Sequence, residues 1–325
     1  MRWRPRGTSR PSCHPTASSS STSPAAATRI WPRCSSGRRP GKNTRAPRSA
    51  SSPVRIEQRF AALRAAGRAG LVTYVTAGDP SLERSAEIVS ALDRGGADLI
   101  EVGVPFSDPV ADGPVIERAA GRALASGGSL RATLDIIARV RPDVSAPLVL
   151  FTYLNPVLRL GYPDFARRAA DAGVDGVLTL DLPLEEAARA RDVLAGAGLD
   201  MIFLISPTTS EARLARAASL GRGFLYAISR LGVTGARASI PVAARGLVER
   251  ARRHSSLPIA LGFGISTPAQ VADAAGWADA VVVGSAIVSV IEREAEAPDL
   301  PARVEAFVRS LAAPLDGGGR GGGRP

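Results

Sequence analysis

LVTYVTAGDPSLERSAEIVSALDRGGADLIEVGV, residues 71–104, decides the fold. An apolar, β-branched run at 71–76 is followed by an amphipathic Ala/Arg/Glu-rich segment at 82–94, opened by Ser81, and then by a second apolar run at 99–104. Strand, helix, strand is the pattern of a parallel βα unit. The alternation continues outward. Further strands are expected at 147–153, 176–181, 200–206, 223–229, 259–264 and 280–285, with helices at 129–140, 163–172, 184–197, 210–219, 241–254 and 267–276. Eight strands at a spacing of roughly 25 to 45 residues fit a closed (β/α)8 TIM barrel better than an open sheet. A doubly wound sheet is the alternative, and the absence of GxGxxG after the first strand argues against its dinucleotide-binding form. An extra N-terminal helix at 54–67 would cap the barrel bottom.

Composition sorts the chain into three parts. The formal charge of +11 over 325 residues is matched by residues 1–52 alone, which carry ten Arg, Lys42 and no acidic residue. The remainder is formally neutral, so a sequence pI near 11.0 gives no ground for a nucleic-acid or membrane partner of the folded part. Residues 1–53, rich in Ser, Pro and Arg, lack apolar periodicity and are expected to be a disordered leader. It reads as a stretch translated from a wrongly placed start, with Val54 as a candidate true start, as an organelle transit segment, or as a basic arm. The barrel domain is expected over 54–312 and a Gly-rich flexible tail over 313–325. No apolar stretch suits a secretory signal or membrane span.

The residue inventory limits the chemistry. Cys13, Cys34, His14 and Lys42 all lie in the leader, and His254 is the only histidine after it. Schiff-base, thiol and most zinc chemistry are thereby set aside, and no metal site is expected. Carboxylates and backbone amides remain.

In a barrel the active site sits at the carboxyl ends of the strands. IEVGVPFSDPVADGP, residues 100–114, places Glu101 within a strand and Asp108 and Asp112 in the loop after it. A carboxyl inside the barrel has its pKa raised by desolvation and suits proton transfer; the other reading of Glu101 is a structural carboxylate hydrogen-bonded to neighbours. Each loop aspartate before Pro or Gly, taken in isolation, reads first as a turn former. Glycines in GVTG (232–235), GFGIS (262–266) and VGSA (283–286) end the last three strands and would let backbone N–H groups approach a phosphate, with a short helix after Gly284-Ser285 adding its dipole. Plain turn chemistry is the alternative. Tyr74, Tyr153, Asn155, Asp181, Tyr226 and Arg230 also stand at strand ends; for the aromatics core packing is the default, with Tyr226 the foremost site candidate. His254 reads as a surface residue at a helix C-terminus.

The 100–114 stretch closely resembles the signature of the tryptophan synthase α-subunit family. YVTAGDP (74–80), YLNP (153–156), DLP (181–183), SPTTS (206–210), ISRLGVTGAR (228–237), LGFGIS (261–266) and GSAIV (284–288) follow in the expected order. The resemblance covers residues 54–312; Thr73 stands where the family usually has Pro, and the leader has no counterpart in the common bacterial form. It implies retro-aldol cleavage of indole-3-glycerol phosphate to indole and glyceraldehyde 3-phosphate, with no cofactor in this subunit. It implies Glu101 as the proton-transferring glutamate and Asp112 as the aspartate that holds the indole N–H. Tyr74 and Tyr226 would line the substrate site, and Thr234, on a closing loop, would position Asp112. Gly235, Gly264, Gly284 and Ser285 would cradle the phosphate. A pyridoxal-phosphate β subunit is the implied partner, in an α2β2 tetramer, through Pro105, Phe106, Ser107, Asp108, Asn155, Pro156 and Pro183. A cytoplasmic place is expected, organelle targeting by the leader being the alternative.

Overall fold

A computed structural model describes residues 55–228, 242–262 and 264–316. The leader, Arg230, Thr234, Gly235 and the tail beyond 316 lie outside the described residues. Eight parallel strands among those described close in sequence order into one barrel: β1 Gly70–Thr76, β2 Leu99–Gly103, β3 Leu148–Thr152, β4 Gly176–Thr179, β5 Asp200–Ile205, β6 Leu225–Ile228, β7 Ile259–Gly262 and β8 Ala280–Val283. The expected TIM barrel is therefore the fold, and closure by pairing of β1 with β8 rules out the open sheet.

Side-chain alternation along the strands separates two cores. Val72, Leu99, Val149, Leu178, Ile202, Phe224, Ala260 and Ala280 fill the barrel interior. Leu71, Ile100, Val102, Leu148, Leu150 and Val177 point outward to the helices. Because register pairs Tyr74 with Glu101, the two side chains stand next to each other on the inner face.

The expected helices are present with ends shifted by up to three residues: α1 Arg55–Ala65, α2 Leu82–Arg94, α4 Leu130–Val140, α6 Tyr162–Ala172, α7 Ala187–Gly196, α8 Glu211–Leu220, α9 Val242–His254 and α10 Pro268–Ala275. Ser81, Ser129, Ser210 and Thr267 cap α2, α4, α8 and α10. Helix α1 buries Ile56, Phe60 and Leu63 against the inner core, with the Phe60 ring 5.7 Å from that of Phe224, and so closes the bottom as expected.

Four helices go beyond the named expectations: α3 Pro114–Ala125, α5 Leu154–Leu160, α11 Ser285–Arg293 and α12 Leu300–Asp316. In α3 the proline sits at the first helical turn, where its missing N–H costs nothing, so a stretch that reads as loop punctuation opens a helix instead. Helix α12 runs four residues into the stretch expected to be tail, because Leu315 is still buried against the outer core. The boundary drawn at residue 312 is thus too early.

At the bottom face Asp98, Asp175 and Asp279 each accept a backbone N–H from near the start of the preceding strand, Leu71 at 2.8 Å, Leu148 at 3.0 Å and Ile259 at 3.0 Å. Arg68 holds Asp98 through two bonds of 3.0 and 2.9 Å. These carboxylates tie strand starts together at the end opposite the carboxyl ends of the strands, a structural use of Asp.

Candidate active site

A cavity of about 270 Å³ opens at the carboxyl end of the barrel. Glu101 and Tyr74, Phe151 and Tyr226 line its floor, and Asp112 and Gly113 its side. Gly264, Ser266, Gly284, Ser285, Ala286 and Ser289 line the end where α11 begins. Seven expected site residues therefore share one cavity: Glu101, Asp112, Tyr74, Tyr226, Gly264, Gly284 and Ser285. Thr234 and Gly235 fall outside the described residues.

Glu101 is wholly buried, and neither carboxyl oxygen has a hydrogen-bond partner among the described residues. The reading of a hydrogen-bonded structural carboxylate is thereby overturned. Burial alone pushes its pKa from 4.5 up to about 8, because the charged form loses its hydration with nothing to replace it. The group is protonated near neutrality and poised to give its proton away.

Asp112 sits in a turn, its N–H donating to the Pro109 carbonyl at 3.1 Å. Burial raises its pKa from 3.8 to about 6, partly countered by a hydrogen bond from Tyr153. The Tyr153 hydroxyl accepts from the Ala111 N–H at 3.1 Å and donates to the Asp112 carboxylate, while its ring stacks on Phe106 with centroids 5.1 Å apart. Beyond the core packing that is the default for Tyr153, its hydroxyl thus meets Asp112, and the signal in the sequence was its place at a strand end beside Asn155-Pro156. Tyr153→Phe should raise the pKa of Asp112 and lower kcat about tenfold, the scale of a lost hydrogen bond to a charged group. The acid limb of the pH–rate profile should move upward; an unmoved limb would show that Tyr153 only packs.

Two glycines make room for the cavity tyrosines. A Cβ on Gly103 would overlap the Tyr74 phenol, and one on Gly262 would overlap the Tyr226 phenol. Tyr74 meets Phe151 edge-on at 5.2 Å, and its hydroxyl lies 3.3 Å from Thr76 Oγ1. Burial raises both phenol pKa values, so each remains a neutral, largely apolar wall.

An ion network fixes the two ends of the cavity relative to each other. Helix α3 starts two residues after Asp112, and its Arg122 grips the buried Asp79 through two bonds of 2.7 and 2.9 Å. Arg122 also reaches Glu292 of α11 at 2.7 Å, and Arg118 reaches the same carboxylate at 2.7 and 2.8 Å. These arginines, the Arg118 hydrogen bond foremost, hold the Glu292 pKa near 2. Nothing in the local sequence pattern marked this network, since its members are 43 and 170 residues apart. His254 ends α9 and bonds Glu211 at 2.6 Å, as a helix-end surface histidine should.

A family model described as the tryptophan synthase alpha chain matches residues 60–314. The chain belongs to the tryptophan synthase alpha chain family. It is 49% identical over 238 residues to the tryptophan synthase alpha chain of Carboxydothermus hydrogenoformans, covering 73% of this chain and 89% of that one. It is 50% identical over 243 residues to that of Caulobacter vibrioides, covering 74% and 88%. Among solved structures, Mycobacterium tuberculosis tryptophan synthase superposes with a TM-score of 0.76 at 39% identity, covering 82% of this chain and 100% of the other. Tryptophan synthase subunit alpha of Legionella pneumophila gives 0.75 at 36%, covering 82% and 99%. The reaction of the tryptophan synthase alpha chain family, cleavage of indole-3-glycerol phosphate, is accordingly the reaction of this lyase.

Proposed function

We propose that Glu101 is the general acid and base of this cleavage and that Asp112 stabilises the cation formed on the way. The observation that carries the reading is the buried Glu101 carboxyl, without a hydrogen-bond partner among the described residues, facing a cavity that Asp112 flanks and that α11 closes at the far end. With the substrate's indole between the two carboxyl groups, Glu101 gives its proton to the ring carbon that bears the side chain. The ring nitrogen becomes cationic, and the Asp112 carboxylate, accepting the N–H, offsets that charge at close range. Glu101, now a carboxylate, takes the proton of the adjacent hydroxyl; the oxygen becomes the aldehyde carbonyl, and the carbon–carbon bond breaks with its electrons returning to the ring. The carboxyl ends as it began, so the step needs no metal or organic cofactor.

At the α11 end, Gly264, Gly284, Ser285 and the first turn of the helix present backbone N–H groups to the phosphate. Thr234 and Gly235 belong to the same proposal, as contributors from the β6–α9 loop. Tyr74 and Tyr226 flank the indole.

The β subunit docks, in this reading, on the neighbouring face. Pro105, Phe106, Ser107, Asn155 and Pro156 line a second cavity of about 740 Å³ there, and Val110 and Leu158 lie exposed nearby in sequence. Asp108 and Pro183 do not line it, although Asp181 accepts the Leu154 N–H at 2.6 Å and so draws the 181–183 turn toward α5. An α2β2 assembly, with pyridoxal phosphate in the partner only, and a cytoplasmic place complete the proposal. Among the described residues no helix is long and apolar enough to cross a membrane.

The test is an indole-release assay on the full chain, with and without a β subunit that carries pyridoxal phosphate. Slow release alone and faster release with the partner are expected. Full-rate release without any response to the β subunit would overturn the docking proposal, and no release in either case would overturn the site assignment.

A further inference from the structure

We propose that Ser289 binds substrate, its hydroxyl donating a hydrogen bond to the phosphate group. The inference rests on the phosphate end of the cavity as proposed above and names a residue outside the glycine motifs that suggested it.

Ser285 and Ser289 stand one turn apart on α11, so they share a face, and both line the cavity with Glu101. Helical side chains lean toward the N-terminus, which carries the Ser289 hydroxyl back over the first turn, where the free N–H groups are. Its hydroxyl is uncommitted. Four helical hydroxyls outside α11 return to their own backbone, Ser90 to Ala86 at 3.2 Å, Thr133 to Ser129 at 2.9 Å, Ser219 to Arg216 at 2.9 Å and Ser310 to Phe307 at 2.6 Å, and a fifth, Ser85, accepts from the Gly78 N–H at 3.0 Å. Ser289 makes no such bond and none to any other described residue, although it is half-buried.

The cavity needs that donor. No Lys, Arg or His lines it among the described residues, so a phosphate there meets no cation from any of these. Of the other polar side chains at this end, the Ser266 hydroxyl is taken by Gln270 at 3.2 Å, which leaves Ser285 and Ser289. A hydroxyl aimed at an anion gives a charge-assisted bond, about twice as strong as a neutral one. Helix α11 is also held still, since Glu292, three residues beyond Ser289, is clamped by Arg118 and Arg122.

The experiment uses the full chain with Ser289→Ala and Ser289→Thr. The KM for indole-3-glycerol phosphate and the inhibition constant of inorganic phosphate should both rise about tenfold in the Ala variant, with kcat within about twofold, and the Thr variant should recover both. Unchanged constants in Ser289→Ala, or a fall in kcat with phosphate inhibition intact, would overturn the inference. Gly284→Val, which sets a side chain against Tyr74 at the start of α11, tests the underlying reading: it should abolish phosphate inhibition. If inorganic phosphate does not compete with substrate in the unsubstituted chain, the phosphate end itself is misassigned. If it competes there and in Ser289→Ala alike, only the role of Ser289 falls.

Discussion

Glu101→Gln should all but abolish indole release while inorganic phosphate still competes for the cavity. In the proposed mechanism one carboxyl supplies both the proton to the ring and the acceptor for the hydroxyl proton, and general acid–base groups of this kind contribute roughly 10² to 10⁴ in rate. Gln keeps the shape and removes both functions. The same variant should change stability in a direction that a structural carboxylate would not produce. In the unfolded chain Glu101 ionises near 4.5, whereas in the fold it ionises near 8. Protonation of the buried group therefore favours the fold fully below the lower value, and that contribution is lost as pH rises through the upper one. Gln is neutral throughout, so the variant should melt above the parent chain at pH 9 by a wider margin than at pH 5. A margin that is flat across this range would mean that Glu101 is not buried as an unpaired acid.

Asp112→Asn should lower kcat by about 10² to 10³, the usual scale for removing one electrostatic contact to a developing charge. Residual turnover is expected because the Asn carbonyl can still accept the indole N–H, although it no longer offsets the ring's positive charge. The pH–rate profile separates the two roles. In the proposed mechanism Asp112 is anionic, so activity should fall as pH drops below about 6, and Glu101 starts protonated, so activity should fall as pH rises above about 8. In Asp112→Asn the acid limb should vanish and the alkaline limb stay. Loss of the alkaline limb instead would exchange the two assignments.

The barrel was legible because its evidence is local and repeated. Each unit carries a β-branched run, a turn and an amphipathic helix, and every repetition reports the same architecture independently. Helix ends and α3 were less legible, since Pro114 and Gly113 are punctuation that either breaks or begins a helix, and only packing of Ile116 and Ala119 against the inner core decides which. The motif at 100–114 located both carboxyl groups, but read by themselves Glu101 and Asp112 each admitted a structural role.

By itself the sequence narrowed the chemistry to carboxylates and backbone amides, because the chain after the leader has no Lys or Cys and one His, and it determined an eight-unit βα architecture through periodicity. Tertiary structure decided the surroundings of those carboxylates. Whether Glu101 has a partner, whether Tyr153 packs or positions Asp112, and whether Ser289 spends its hydroxyl on its own helix depend on groups brought together from opposite sides of a closed barrel. The Arg118–Arg122–Glu292–Asp79 network is the extreme case. Local patterns follow from interactions a few residues apart, whereas a pKa or a free donor is set by the whole surrounding shell, which exists only once the barrel has closed.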